Sequence, residues 1–171
     1  MKKRILVIIS LVLIGIIGFQ NNWFELFEKK TAYAVGDLNV IWGVPDGDPI
    51  FVVENMVPGD TDDRTVNVLN GASSMRPVGV RGVKTDETAS FSSVLDFVIR
   101  KNGTDIYGGA SPTGPKTLQD FFDESGGPDG LFLSNIAAGN STSYTFKATF
   151  PLGSGNEFQD AKVVFDLIIG I

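Results

Sequence analysis

From Gly36 onward, apolar and polar residues alternate with a period of two. In "STSYTFKATF", Tyr144, Phe146, Ala148 and Phe150 fall on one side, and Thr145, Lys147 and Thr149 on the other. In "AKVVFDLIIG", Val163, Phe165, Leu167 and Ile169 oppose Val164, Asp166 and Ile168. In "SVLDFVIR", Leu95, Phe97 and Ile99 alternate with Asp96, Val98 and Arg100. Shorter runs carry Leu38, Val40 and Trp42, then Val66 and Val68, then Val78 and Val80. A strand turns successive side chains to opposite faces, so each run predicts a strand with one buried face. Helical spacing is found in "GPKTLQDFFDES", through Leu118, Phe121 and Phe122. It predicts a short helix over 116–124, ended by "SGGPDG".

The punctuation between the runs agrees. Asn102-Gly103 separates two strand-like runs, the strongest short hairpin signal, and Asn70-Gly71 follows another strand as a turn. In "VPGD", Pro58 supplies the fixed φ and Gly59 the positive φ of a type II turn. The glycines of "RPVGVRGV" predict a bulge. About eight strands at intervals near ten residues, with one short helix, describe an all-β, antiparallel β-sandwich. No internal repeat and no dividing linker is present, so residues 36–171 read as one domain.

The N-terminus is of another kind. "MKKR" is a basic start, and "ILVIISLVLIGIIGF" is an apolar run of fifteen. A membrane span needs about 18 apolar residues, so this is the core of an export signal. A cut near Asn22 makes 1–22 the signal peptide and leaves 23–35 as an N-terminal arm. The alternative site follows Ala34, where Ala32-Tyr33-Ala34 meets the small-x-small rule. The second cut removes five of the 14 Lys/Arg and two of the 20 Asp/Glu, leaving 9 and 18. The first removes Lys2, Lys3 and Arg4, leaving 11 and 20. Either product carries a net charge of −9. Phosphate backbones and anionic bilayers repel such a protein, so nucleic acid is excluded, and membrane contact is confined to the signal segment before processing. There is no cysteine for a disulfide framework, so the core alone must hold the fold.

Composition also limits the chemistry. There is no histidine, so Ser-His-Asp, Cys-His and His- or Cys-based zinc sites are impossible. Paired carboxylates are unavoidable among so many acids and carry almost no specificity. Nothing points to a Ser-Lys dyad, and "DTD" is not the Asp-Thr-Gly of an aspartic protease. We expect no catalytic residues. Oxygen ligands for calcium are the one cofactor chemistry left, at Asp46 and Asp48 of "PDGDP" and at Asp60, Asp62 and Asp63 of "GDTDD". Neither stretch has the spacing of an EF-hand loop. The competing reading makes Asp46, Asp48 and Asp60 turn formers and Asp62 and Asp63 exposed charges at a strand start.

Two further features concern binding. Trp42, Tyr107 and Tyr144 are aromatics of a kind that stacks on sugar rings, although on strands such residues more often pack the core. The arm "WFELFEKKTAYAV" carries Trp23, Phe24, Leu26, Phe27, Tyr33 and Val35 ahead of the first confident strand. These apolar residues have no evident place in their own sandwich, and an arm of this kind can complete the sheet of a neighbouring subunit.

The order of several segments resembles one family. An export signal precedes "AYAVGDLNV", "VVENMVPGDTDDRTVNVLNGAS" supplies a Pro-Gly-Asp turn and a strand, and "YTFKATFPLGSGNEFQDAKVVFDLIIGI" closes the chain with aromatic strands around an Asn-x-x-Gln bend. Together they are similar to the TasA–camelysin family of secreted bacterial proteins. The resemblance implies a jelly-roll β-sandwich displayed outside the cell and fibres of a biofilm matrix linked by an N-terminal donor strand. It implies cleavage near residues 20–23, with the arm from Trp23 to Val35 retained. "GFQNN" departs from a small-residue cleavage site, and the body is shorter than that of fibre-forming members. The family's metallopeptidase label does not carry over, because no histidine is present to hold a zinc ion.

The expectation is therefore an extracellular or cell-surface structural protein whose partners are copies of itself or related matrix subunits. A monomeric adhesin or carbohydrate-binding module, stapled by calcium, is the alternative. A hydrolase is the third.

Overall fold

The structure is a computed structural model and describes residues 29–31, 37–45 and 47–170. Its strands are β1 (Lys29–Thr31), β2 (Leu38–Pro45), β3 (Phe51–Glu54), β4 (Thr61–Asn70), β5 (Arg76–Glu87), β6 (Asp96–Lys101), β7 (Thr104–Tyr107), β8 (Leu131–Ile136), β9 (Ser141–Thr149) and β10 (Lys162–Gly170). Among the described residues one α-helix, α1 (Leu118–Ser125), interrupts them. They form a six-stranded sheet, β1-β2-β4-β9-β6-β7, and a four-stranded sheet, β3-β10-β5-β8. All named strand pairs are antiparallel. The expected all-β sandwich is what forms. From β2 to β10 the chain changes sheet at every connection except the β6–β7 hairpin, which gives the sandwich a jelly-roll-like winding.

The alternating runs set which face is buried. Val163, Phe165, Leu167 and Ile169 of β10 meet Tyr144, Phe146 and Ala148 of β9 in one core. Leu38, Val40, Trp42, Val66, Val68, Val78, Val80, Leu95, Phe97 and Ile99 join them, as the alternation requires. Burying a side chain of this size is worth about 1.5–3 kcal/mol, which is how a chain without disulfides holds together. Aromatic pairs knit the centre. Phe51 stacks on Phe165 at 4.6 Å, and Phe97 tilts against Phe121 at 4.7 Å.

Three local devices depart from or refine the expectations. The helix starts at Leu118, two residues later than its periodicity suggests, because Thr117 is its cap. The Asp120 amide donates to Thr117 Oγ1 at 3.1 Å, and the Thr117 amide donates to Asp120 Oδ2 at 2.8 Å. Asn102-Gly103 makes the expected hairpin, both residues taking positive φ as a type I′ turn requires. Asn70-Gly71 does not make a hairpin. Asn70 is fully buried, and its side-chain oxygen accepts from the Ala72 amide while its nitrogen donates to Ser74 O and Ile136 O. The chain leaves the sheet there to cross to its partner sheet. Strands β3 and β8 are additional to the runs singled out from the sequence. β3 has only four residues, and β8 shows an irregular burial pattern in place of clean alternation.

Candidate functional site

The corner Val57–Arg64 holds the aspartates that the sequence marks as calcium candidates. Pro58-Gly59 forms the expected type II turn, with Gly59 at φ +101° and the Asp60 amide donating to Val57 O at 2.9 Å. The Asp60 carboxylate closes the same turn by accepting from the Val57 amide at 2.9 Å. Asp62 and Asp63 are consecutive in β4 and so point to opposite faces of the sheet. Asp62 lies opposite buried Ala148 on the inner face, and Asp63 lies opposite Lys147 on the outer one.

Asp62 is engaged by Arg64, whose Nη1 donates to its carboxylate at 2.6 Å and to Asp63 O at 2.8 Å. The Arg64 guanidinium also sits over the Phe51 ring, 5.3 Å from its centre. An inward ion pair thus plugs the open end of the sandwich, and the cation covers the aromatic core below it. Beside it lies a shallow cleft of about 220 Å³ lined by Val52, Val53, Glu54, Asn55, Met56, Asp60, Thr61 and Asp62.

The calcium reading requires several of these oxygens in one place; Asp60 and Asp62 line the cleft with Glu54, while Asp63 faces the other side of the sheet. Asp60 serves the turn, Asp62 the arginine, and Asp63 the opposite face. Asp48 lies in the β2–β3 connection, exposed, and Asp46 lies outside the described residues. Among the described residues no three acidic side chains are grouped to hold a metal ion. Arg64 is the residue that sequence reasoning passed over. Its position two places from Asp62 in a strand, on the same face, was the available signal.

The aromatic candidates for sugar stacking are core residues. Trp42 tilts against Phe146 at 5.5 Å, Tyr107 packs edge-on to Phe121 at 6.1 Å, and Tyr144 is fully buried with its hydroxyl 2.6 Å from Ser134 Oγ. Burial pushes the Tyr107 phenol up, and the nearby Glu124 charge adds to it. The two groups do not meet in hydrogen-bond geometry, and Glu124 instead accepts from Lys116 at 2.6 Å.

Trp23, Phe24, Leu26, Phe27, Tyr33 and Val35 of the expected arm lie outside the described residues. The described part of that stretch, Lys29–Thr31, is β1. It adds to the edge of the six-stranded sheet, pairing Lys29 with Pro45 and Thr31 with Ile41 across a register shift.

Compared with known proteins, the chain matches no family model and no curated sequence.

Proposed function

We propose that this chain is an exported structural subunit that assembles outside the cell into fibres or a surface matrix, joined by strand addition through the arm Trp23–Val35. The observation that carries the reading is β1. Part of the arm's own stretch, Lys29–Thr31, takes strand conformation and pairs antiparallel with the β2 edge across a register shift. A stretch that takes strand conformation at a sheet edge can serve as an added strand, which main-chain hydrogen bonds hold and alternate side chains register. The resemblance to the TasA–camelysin family and the signal-like leader support the same reading.

The test begins with the mature protein's N-terminal residue, which is expected within 20–23. Electron microscopy of the secreted chain is expected to show fibres or linear oligomers. Deleting residues 23–35 is expected to abolish the fibres while leaving the protein folded. A secreted chain that begins after Ala34, or one that stays monomeric with the arm intact, overturns the proposal.

A further inference from the structure

The two sheets differ in what they turn to solvent. On the outer face of the six-stranded sheet, β9 presents Ser141, Ser143, Thr145, Lys147 and Thr149. Its neighbour β4 presents Thr61, Asp63, Thr65 and Asn67, and Thr65 and Thr145 share a hydroxyl contact of 2.7 Å. That surface is polar along β9 and most of β4, with Ile41 and Leu69 exposed at its β2 side. On the outer face of the four-stranded sheet, β10 presents Val164 and Ile168 around Asp166. Val52 of β3 lies directly opposite Val164, Val83 of β5 opposite Asp166, and Phe132 of β8 opposite Gly79. Val52, Val83, Phe132 and Ile168 are 42%, 37%, 58% and 42% exposed. Single exposed apolar residues are normal, but these fall on adjacent strands and form a diagonal stripe across the sheet. The outward face of β10 thus carries two apolar residues, Val164 and Ile168, on either side of Asp166.

The charges on this face say what can cover it. Lys162 is paired with Asp86 at 2.6 Å. Glu54 and Arg81 lie toward opposite ends, opposite Lys162 and Ile168, and form no ion pair among the described residues. With Asp166 the face carries two cationic and three anionic groups, close to balance on a chain of net charge −6. Two copies can therefore meet here without the repulsion that the whole molecule would impose. A two-fold axis across the face sets Arg81 of each copy toward Glu54 of the other, as a self-complementary interface requires.

We propose that the outer face of the four-stranded sheet is an interface between two copies of this chain, packed sheet against sheet. The contact uses neither the arm nor the β2 edge, and so it stands whether or not strand addition links subunits end to end.

The test is sedimentation equilibrium of the full chain, secreted by a bacterial host and purified in the N-terminal form that the host leaves. A reversible dimer is expected. Ile168→Lys and, separately, Val83→Lys are each expected to raise its dissociation constant tenfold or more. Thr145→Lys, on the outer face of the other sheet, is expected to leave it unchanged. Arg81→Glu is expected to weaken the dimer, and Arg81→Glu with Glu54→Arg to restore it. Near-ultraviolet circular dichroism and Tm establish that each variant is folded, and Ile168→Ser replaces any lysine variant that is not. A chain that stays monomeric at about millimolar concentration overturns the proposal. So does a dissociation constant unmoved by the changes at Ile168 and Val83. A dimer that resists those changes but is lost on deleting residues 23–35 assigns the association to the arm instead.

Discussion

Asn70 shows how much one polar side chain can hold in this fold. It is fully buried where β4 ends, and its amide nitrogen satisfies two carbonyls, Ser74 O and Ile136 O, at 2.9 Å each. Removing that donor strands Ile136 O away from water and frees Ser74 O in its exposed loop. Asn70→Ala is therefore expected to cost about 3 kcal/mol, measured by chemical denaturation. Asn70→Asp should be at least as harmful, since it replaces the donor with a buried negative charge. The aspartates of the neighbouring corner call for the opposite expectation. Each has its own task in the turn, the ion pair or the outer face, so chelator is expected to leave Tm unchanged to within about 1 °C. A ΔΔG of 1 kcal/mol would move Tm by roughly 2–8 °C for domains in this size range, well within detection. A large fall on chelation would show that the oxygens converge on calcium after all. The aspartates were visible in the sequence, but their separation depended on β4 placing Asp62 inside and Asp63 outside.

At the scale of elements, α1 is held by both its cap and its seat. Phe121 is buried, and Phe122 packs edge-on to Phe165 at 5.3 Å. Beneath the helix lies Gly82 of β5, where a Cβ would meet Phe121 at 2.6 Å and Phe122 at 2.7 Å. The Gly82 amide donates to Ser125 Oγ at 3.1 Å, so the backbone itself is part of the helix seat. Gly82→Ala is expected to lift α1 from the sheet at a cost of about 1–3 kcal/mol, read as a lower denaturation midpoint. The helix was legible from the spacing of its apolar residues. The need for glycine at position 82 was not, because its steric partner is some forty residues away. β8 escaped notice for a related reason. As an edge strand whose Phe132 turns outward, it lacks the alternation that marks the inner strands.

For the whole molecule, several carboxylates set the acid limit. Asp105 is held below the usual range first by Arg100 and then by the Ala110 amide, and Asp120 by the Thr117 amide and hydroxyl. Burial alone would raise Glu87, but hydrogen bonds from Lys84 and Ser92 outweigh it and leave it lowered. With folded values below those of the unfolded chain, the unfolded state takes up protons first as pH falls. These groups thus contribute in full above about pH 5, and their contribution is lost as pH drops below about 4. Tm should be level near neutrality and fall steeply in that acid range. A Tm independent of pH down to about 2 would refute the assignment. The division between sequence and tertiary structure follows the range of the forces involved. Local patterns determined the strand faces, the hairpin at Asn102-Gly103, the turn at Pro58-Gly59 and the helix, because alternation, turn geometry and capping act between residues near in the chain. Only the tertiary structure decided which strands are neighbours, that Trp42, Tyr107 and Tyr144 are core, that the acidic corner is a plugged end, and that the outer apolar residues of β3, β5, β8 and β10 form one stripe. Those outcomes depend on contacts between segments far apart in sequence, where burial and charge are set by what the fold brings alongside.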